Sequence, residues 1–215
     1  LFTEEQMPGL RQACAEFAWL LSRGYPESAT MKLVGDRHDL ASRQRDAVRR
    51  SSCADSAREG RLTREVSLAD SAGKGIAIDG FNLIITIESA LSGAVLLRGR
   101  EGCLRDLGSV HGNYRKVEET AAALELIAAK LDAAGIEDVR WFLDRPVSNS
   151  GRLASVLRER WEVELVNDPD RVLVDGDDIV VSSDAMVLDK SGAWLNVAAV
   201  VVADLQAPWI LELWP

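Results

Sequence analysis

The sequence predicts an α/β protein in two parts: a small helical domain over residues 1–68, then a mostly parallel, three-layer α/β/α domain over 69–215 with an inserted β-hairpin. Three observations lead there. Up to residue 68 the apolar residues fall at helical spacing. Beyond residue 74, short apolar runs alternate with helical stretches, the order that builds parallel sheets. The first of those runs, Ile76-Ala-Ile78, is apolar at every position, as expected of a strand buried on both faces.

Composition sets the outer bounds. A chain of 215 residues, 47% hydrophobic and 27% charged, is an ordinary globular one. Glu4 and Glu5 argue against a secretory leader, and the longest apolar run, 197–203, is too short to span a bilayer. Cys14, Cys53 and Cys103 form no C-x-x-C, which predicts reduced thiols in a cytoplasmic protein. A net charge of −9 counts against a protein that simply coats nucleic acid. Residues 1–70 carry as many Lys and Arg as Asp and Glu, so the whole excess falls on the later part.

Taken in order, residues 3–22 predict an amphipathic helix, with Thr3 as cap and Leu10, Cys14, Phe17, Leu20 and Leu21 on its apolar face. Gly24 ends it, Tyr25-Pro26 opens a second helix to about Val34, and residues 35–38 turn the chain. Ser42 caps a third helix towards Cys53, bearing Arg43, Arg45, Arg49 and Arg50, with Arg37 just before it. Polar residues 54–73 read as a linker holding one helical turn or strand. The strand over 76–79 then passes through Gly80 into a helix over 82–91, with Asn82 placed to cap it. Residues 94–98 and 102–107 alternate about Gly99–Gly102, which predicts the hairpin.

A polar loop with His111 leads to a long helix stopped by Gly135. Its stripe of Val117, Ala121, Leu124, Ala128 and Leu131 turns Glu118 inward and Glu119 outward. The remaining order is strand 139–144, a helix from Ser148 or Asn149 to about Arg160, strand 161–166 and a turn over 167–170. Strand 178–184, a short helix with Asp189, strand 194–202 and an edge strand after Pro208 complete it. Trp19, Trp141, Trp161 and Trp194 fall within these elements and are expected in the core.

The chemistry lies at strand ends. Asp79, Asp144 and Asp184 each close a predicted parallel strand, so one rim of the sheet collects them. Carboxylates gathered so closely repel unless protonated or bridged by a cation. Oxygen-only ligands suit Mg²⁺ or Mn²⁺, which activates water and offsets charge on a phosphodiester. The arginines of the third helix are suited to phosphates, although pairing with Asp36, Asp39, Asp46 and Asp55 would leave them a solvated face.

Ile78-Asp-Gly-Phe-Asn82, followed by Val180-Val-Ser-Ser-Asp184, resembles the PIN-like superfamily and, within it, the NYN nucleases. The chain as a whole resembles an uncharacterised microbial family known as domain of unknown function 434. That resemblance rests on Leu20-Leu-Ser-Arg-Gly-Tyr-Pro26, Leu33-Val-Gly-Asp-Arg37, Ile78–Asn82, Val110-His-Gly-Asn-Tyr114 and Asp144-Arg-Pro-Val-Ser-Asn-Ser-Gly151. It brings no established activity. The PIN-like resemblance implies a ribonuclease using Mg²⁺ or Mn²⁺, with Asp79 and Asp184 as metal ligands and Asp144 a further acidic position. It assigns another to Asp170 or Asp189, and Glu118 stands for the helix glutamate of many PIN domains. Asn82, Ser183 and His111 are the supporting positions. RNA is the expected partner, a homodimer the expected assembly, and no membrane is involved.

Other chemistries fit less well. No G-x-G-x-x-G follows the first strand. An aspartyl phosphatase wants a second acid where Phe81 stands, and His38 and His111 are far apart in sequence. Two rivals stay open: a non-catalytic module that grips RNA or protein, and an enzyme acting on a small phosphate ester.

Overall fold

In the computed structural model, which describes residues 1–108 and 118–214, four helices come first: α1 (Met7–Leu21), α2 (Glu27–Arg37), α3 (Ser42–Ser51) and α4 (Asp55–Arg64). Leu10, Cys14 and Phe17 recur at i, i+4, i+7, so α1 turns one apolar face onto Val34 of α2 and Ala47 and Val48 of α3. The expected turn at 35–38 is mostly helix, since α2 continues to Arg37 and His38 N–H still reaches the Val34 carbonyl at 3.1 Å. Residues 54–73 hold more than the one helical turn or strand expected in a linker: α4 is followed by strand β1 (Glu65–Val66) and one 3-10 turn. Composition hides α4 because polar contacts hold it. Arg61 donates to Asp189 (2.7 Å) and Arg64 to the Leu188 carbonyl (2.8 Å).

Next come β2 (Ile76–Asp79), α5 (Gly80–Leu91), β3 (Leu96–Arg98), β4 (Leu104–Asp106), α6 (Glu119–Ala133), β5 (Val139–Asp144), α7 (Ser150–Leu157) and β6 (Glu162–Val166). The chain closes with α8 (Pro169–Asp175), β7 (Ile179–Val181), α9 (Ala185–Lys190), β8 (Trp194–Leu195), α10 (Val197–Val202) and β9 (Ile210–Glu212). Six parallel strands lie in the order β1-β8-β7-β2-β5-β6. Alternation along β2 sends Ile76 and Ile78 into the core with α5, α6, α7 and α10, and Ala77 to the other face with Leu173 of α8 and Val187 of α9. The result is a Rossmann-like three-layer sandwich. The expected hairpin forms a second sheet, β4-β3-β9, whose Leu97 and Leu211, with Leu213 just beyond β9, join the core of α1, α2 and α3.

Several expectations fail for physical reasons. Residues 194–202 are not one strand: Asn196 accepts the Ala199 N–H (3.3 Å) and starts α10, a helix rich in valine because it is buried in the main core. The turn expected at 167–170 is the N-terminus of α8, with Asp168 as cap and Pro169 in the first turn. In α6 the buried residues are Thr120, Ala123, Ile127, Ala128 and Leu131: Ala128 and Leu131 are as expected, but in the first turns the stripe is shifted, with Leu124 half-buried and Ala121 exposed, while Val117 falls outside the described residues. Trp19 is not core either: it is 54% exposed and stacks under Arg23, 3.5 Å from guanidinium carbon to ring centre. Trp141 and Trp194 are fully buried. Among the described residues no helix is long and apolar enough to cross a membrane, and all three cysteines are free and buried.

Candidate active site

The chain leaves β2 towards β5 on one side and later returns to β7 on the other, so the sheet order reverses between β2 and β7. Crevices at such reversals, outside the carboxyl ends of the strands, are where open α/β sheets hold ligands. Asp79 ends β2 there. It shares the parity of Ala77 and therefore points to the face of α8 and α9. Gly80 follows because space is short: a Cβ on it would lie 2.4 Å from Leu143 Cδ2 and 3.2 Å from the Phe142 carbonyl oxygen.

Asp79 is only 7% exposed. Its Oδ2 accepts from the Ser182 hydroxyl (2.8 Å), and its Oδ1 accepts the Asn82 N–H (3.4 Å), so Asp79 and not Asn82 caps α5. Asn82 serves the loop after β7 instead, its Oδ1 accepting both the N–H and the hydroxyl of Ser183 at 2.9 Å. Ser182 Oγ also accepts the Asp184 N–H (3.1 Å). Asp184 lies three residues beyond the end of β7 and caps α9, accepting from the N–H groups of Met186 (2.8 Å) and Val187 (3.2 Å).

One cleft of about 390 Å³ is lined by Asp79, Asp144, Asp170 and Asp184, with Asp106 and Arg50 at its side. Burial pushes the Asp79 carboxyl up to about 7; the Asp170 and Asp144 charges add to this, and Ser182 and Asn82 oppose it. Burial, reinforced by Asp184, Asp144 and Asp168, raises Asp170 to about 6. Asp144 is also raised, by burial first and by Asp168. Four elements thus bring acidic groups to one place, where full ionisation is unfavourable.

The other expected residues are placed differently. Glu118 is exposed at the start of α6, turned out by the shift of the buried stripe, and does not line the cleft. Asp189 accepts from Arg61 and lies outside the acidic cleft. His111 falls outside the described residues. Of the arginines, Arg50 reaches the acidic cleft and Arg49 the neighbouring one. Arg37 pairs with Glu16 (3.4 Å) and Arg45 with Asp36 (2.9 Å), while Arg43 is exposed away from both clefts.

Sequence reasoning missed Asp106, Glu101, Arg61 and Arg105. Asp106 ends β4, and its main-chain carbonyl accepts from Arg50 (2.7 Å). Glu101, almost fully buried, pairs with Arg61 (3.3 Å) and with Arg105. Arg105 also donates to the Ser183 carbonyl (2.8 Å) and the Arg50 carbonyl (3.0 Å). The inserted hairpin is thereby tied to the loop that carries Asp184. The hint in the sequence is the run of charges at Arg98, Arg100, Glu101, Arg105 and Asp106 within the hairpin.

The donor set is all carboxylate oxygen, which suits a hard dication. Among the described residues no three His, Cys, Asp or Glu side chains stand closely enough to cage an ion. Mg²⁺ keeps several waters and takes one or two protein carboxylates, so a dication here would be held by a carboxylate or two and water and not by a closed all-protein cage.

Fold and cleft together define a Rossmann-like α/β protein with an acidic crevice where its strand order reverses. Over residues 68–200 the chain belongs to the family described as Domain of unknown function (DUF5616), while residues 9–64 match Protein of unknown function (DUF434). The resemblance to domain of unknown function 434 is thus carried by the helical part, and the α/β part has a family of its own. An uncharacterized protein of Methanocaldococcus jannaschii is 30% identical over 188 residues, covering 83% of this chain and 88% of that protein. No solved structure matches.

Proposed function

We propose that the chain is a cytoplasmic hydrolase of RNA phosphodiester bonds that uses Mg²⁺ or Mn²⁺, with a PIN-like α/β part of the NYN type. The observation that carries this reading is the gathering of Asp79, Asp144, Asp170 and Asp184 around one cleft, with Arg50 beside them. Asp79 and Asp184 would hold the ion, with Asp144 and Asp170 at the open side; the ion supplies an activated water and charge neutralisation at the scissile phosphate. The chain's own groups do the rest. Ser182 and the Asn82 N–H orient Asp79. Asp170, raised to about 6, titrates close enough to neutrality to take the proton of the attacking water. Arg50 offers a guanidinium to a non-bridging phosphate oxygen.

The test is cleavage of end-labelled RNA in Mn²⁺ by the full chain, by Asp79→Asn and by Asp184→Asn. Cleavage by the parent that falls about a hundredfold or more in each variant, with folding retained, is the expected result. Cleavage that survives in both belongs to something else.

A second reading, a module that grips RNA and cuts nothing, is favoured by the lack of a preassembled three-donor cage among the described residues. Such a module would give no saturable heat with Mn²⁺ and no products, yet would retain RNA.

A further inference from the structure

A second cleft, of about 570 Å³, opens beside the acidic one and shares Arg50, Asn82, Asp106 and Asp184 with it. Its lining is mixed in chemistry. Arg49 and Arg50, from the end of α3, line it together with Glu27, Asp106, Asp184 and Asp189. Half-buried Leu21 of α1, with Ala54 and Ala57 at the start of α4, gives it an apolar ledge. Arg61 and Arg105 also line it, but Asp189, Glu101 and main-chain carbonyls occupy their donors. Arg49 and Arg50 differ. Arg49 donates to Asp46 (2.7 Å) through one nitrogen, and Arg50 uses one nitrogen for the Asp106 carbonyl (2.7 Å) and for a looser ion pair with the Asp106 carboxylate (3.9 Å), so each keeps a second terminal nitrogen that makes no hydrogen bond among the described residues.

We infer that this second cleft is a nucleotide subsite: it holds the unit of single-stranded RNA next to the scissile phosphate. The phosphate of that unit lies on Arg49 and Arg50, and its base lies on the Leu21–Ala57 ledge. The inference rests on the hydrolase reading for what happens next door, but not for binding itself. The volume is in the range of small-molecule sites. Guanidinium for phosphate and an apolar face for the base are the two contacts that single strands use without regard to sequence. Because the subsite is built from α1, α3 and α4, the helical part forms a wall of the site and is no mere appendage.

The test uses the full chain carrying Asp79→Asn, without divalent ions, and a fluorescein-labelled adenylate pentamer followed by anisotropy. Adding Ala57→Trp fills the ledge and should weaken binding about tenfold, the worth of one lost stacking contact. Adding the exposed Arg49→Ala change should weaken it and make the slope of log K against log salt shallower by about 0.7, as for one phosphate on a single strand. Unfolding midpoints near the parent's show that the variants are folded, and Arg49→Ala decides should Ala57→Trp fail to fold. An unchanged affinity and salt slope in folded variants, or no saturable binding by the parent, overturns the subsite. Losses at Ala57 and Arg49 in a protein that never cleaves RNA sink the hydrolase reading alone. Asp79-dependent cleavage with no effect of either change sinks the subsite alone.

Discussion

Asp79 is buried where its charge is unwelcome, and that has a measurable sign. A carboxyl raised from its ordinary value to about 7 binds protons in the folded state that the unfolded chain has already lost. Its contribution to stability therefore falls as pH rises from about 4 to about 7 and is flat beyond. Asp79→Asn keeps an acceptor for Ser182 and removes the penalty. In urea titrations the variant should gain on the parent by about 2 kcal/mol between roughly pH 5 and pH 8. A constant difference across that range would mean Asp79 ionises freely. At the next position, Gly80→Ala must push Leu143 and meets the Phe142 carbonyl, so a loss of about 1–3 kcal/mol is expected by chemical denaturation. Asp79 and Gly80 were legible because an apolar run, a carboxylate and a glycine form a local signal. Glu118 misled for the opposite reason: alanine-rich α6 offers two overlapping stripes, and a shift of one residue turns a side chain by about 100°. In its first turns tertiary packing chose Thr120 and Ala123 over Ala121 and Leu124.

At the scale of elements, the strands that fill the middle of the sheet announce themselves, since apolar runs without alternation demand cover on both faces. The elements that escaped are those whose stability lies elsewhere. α10 is valine-rich and reads as a strand by propensity; the Asn196 cap and burial against α5 and α6 decide otherwise. α8 hides behind Asp168-Pro169, a pair that serves a turn or a helix start equally well. α4 is tied down by Arg61 and Arg64, whose partners lie more than a hundred residues away. The same long reach governs the hairpin. Glu101 sits between Arg61 and Arg105, and its carboxyl is held below the usual range by those two cations against the cost of burial. Glu101→Gln leaves buried positive charge without its partner and should cost about 3 kcal/mol, read from the urea midpoint. Because Arg105 also holds the Ser183 carbonyl, that variant should loosen the loop bearing Asp184. Faster amide exchange at residues 182–187 would report it, and unchanged exchange there would separate the hairpin from the site.

For the molecule as a whole, the strand order places the carboxylates of β2 and β5 and those at the heads of α8 and α9 at one opening, while α3 brings arginine to its edge. The gathering of Asp79 and Asp144 was foreseeable, because parallel strands share a rim. The role of the helical part was not, because no local pattern says that α3 ends beside the hairpin. Charge of both signs around one opening suits a phosphate ester and a dication together, the combination on which the functional reading stands. Titration calorimetry with Mn²⁺ near pH 6.5, run in two buffers of different ionisation enthalpy, tests it most directly. The account predicts a saturable site that releases protons as Asp79 and Asp170 ionise, tightens as pH rises towards about 8, and vanishes in Asp79→Asn. Heats that do not saturate, or that are the same in parent and Asp79→Asn, would contradict it.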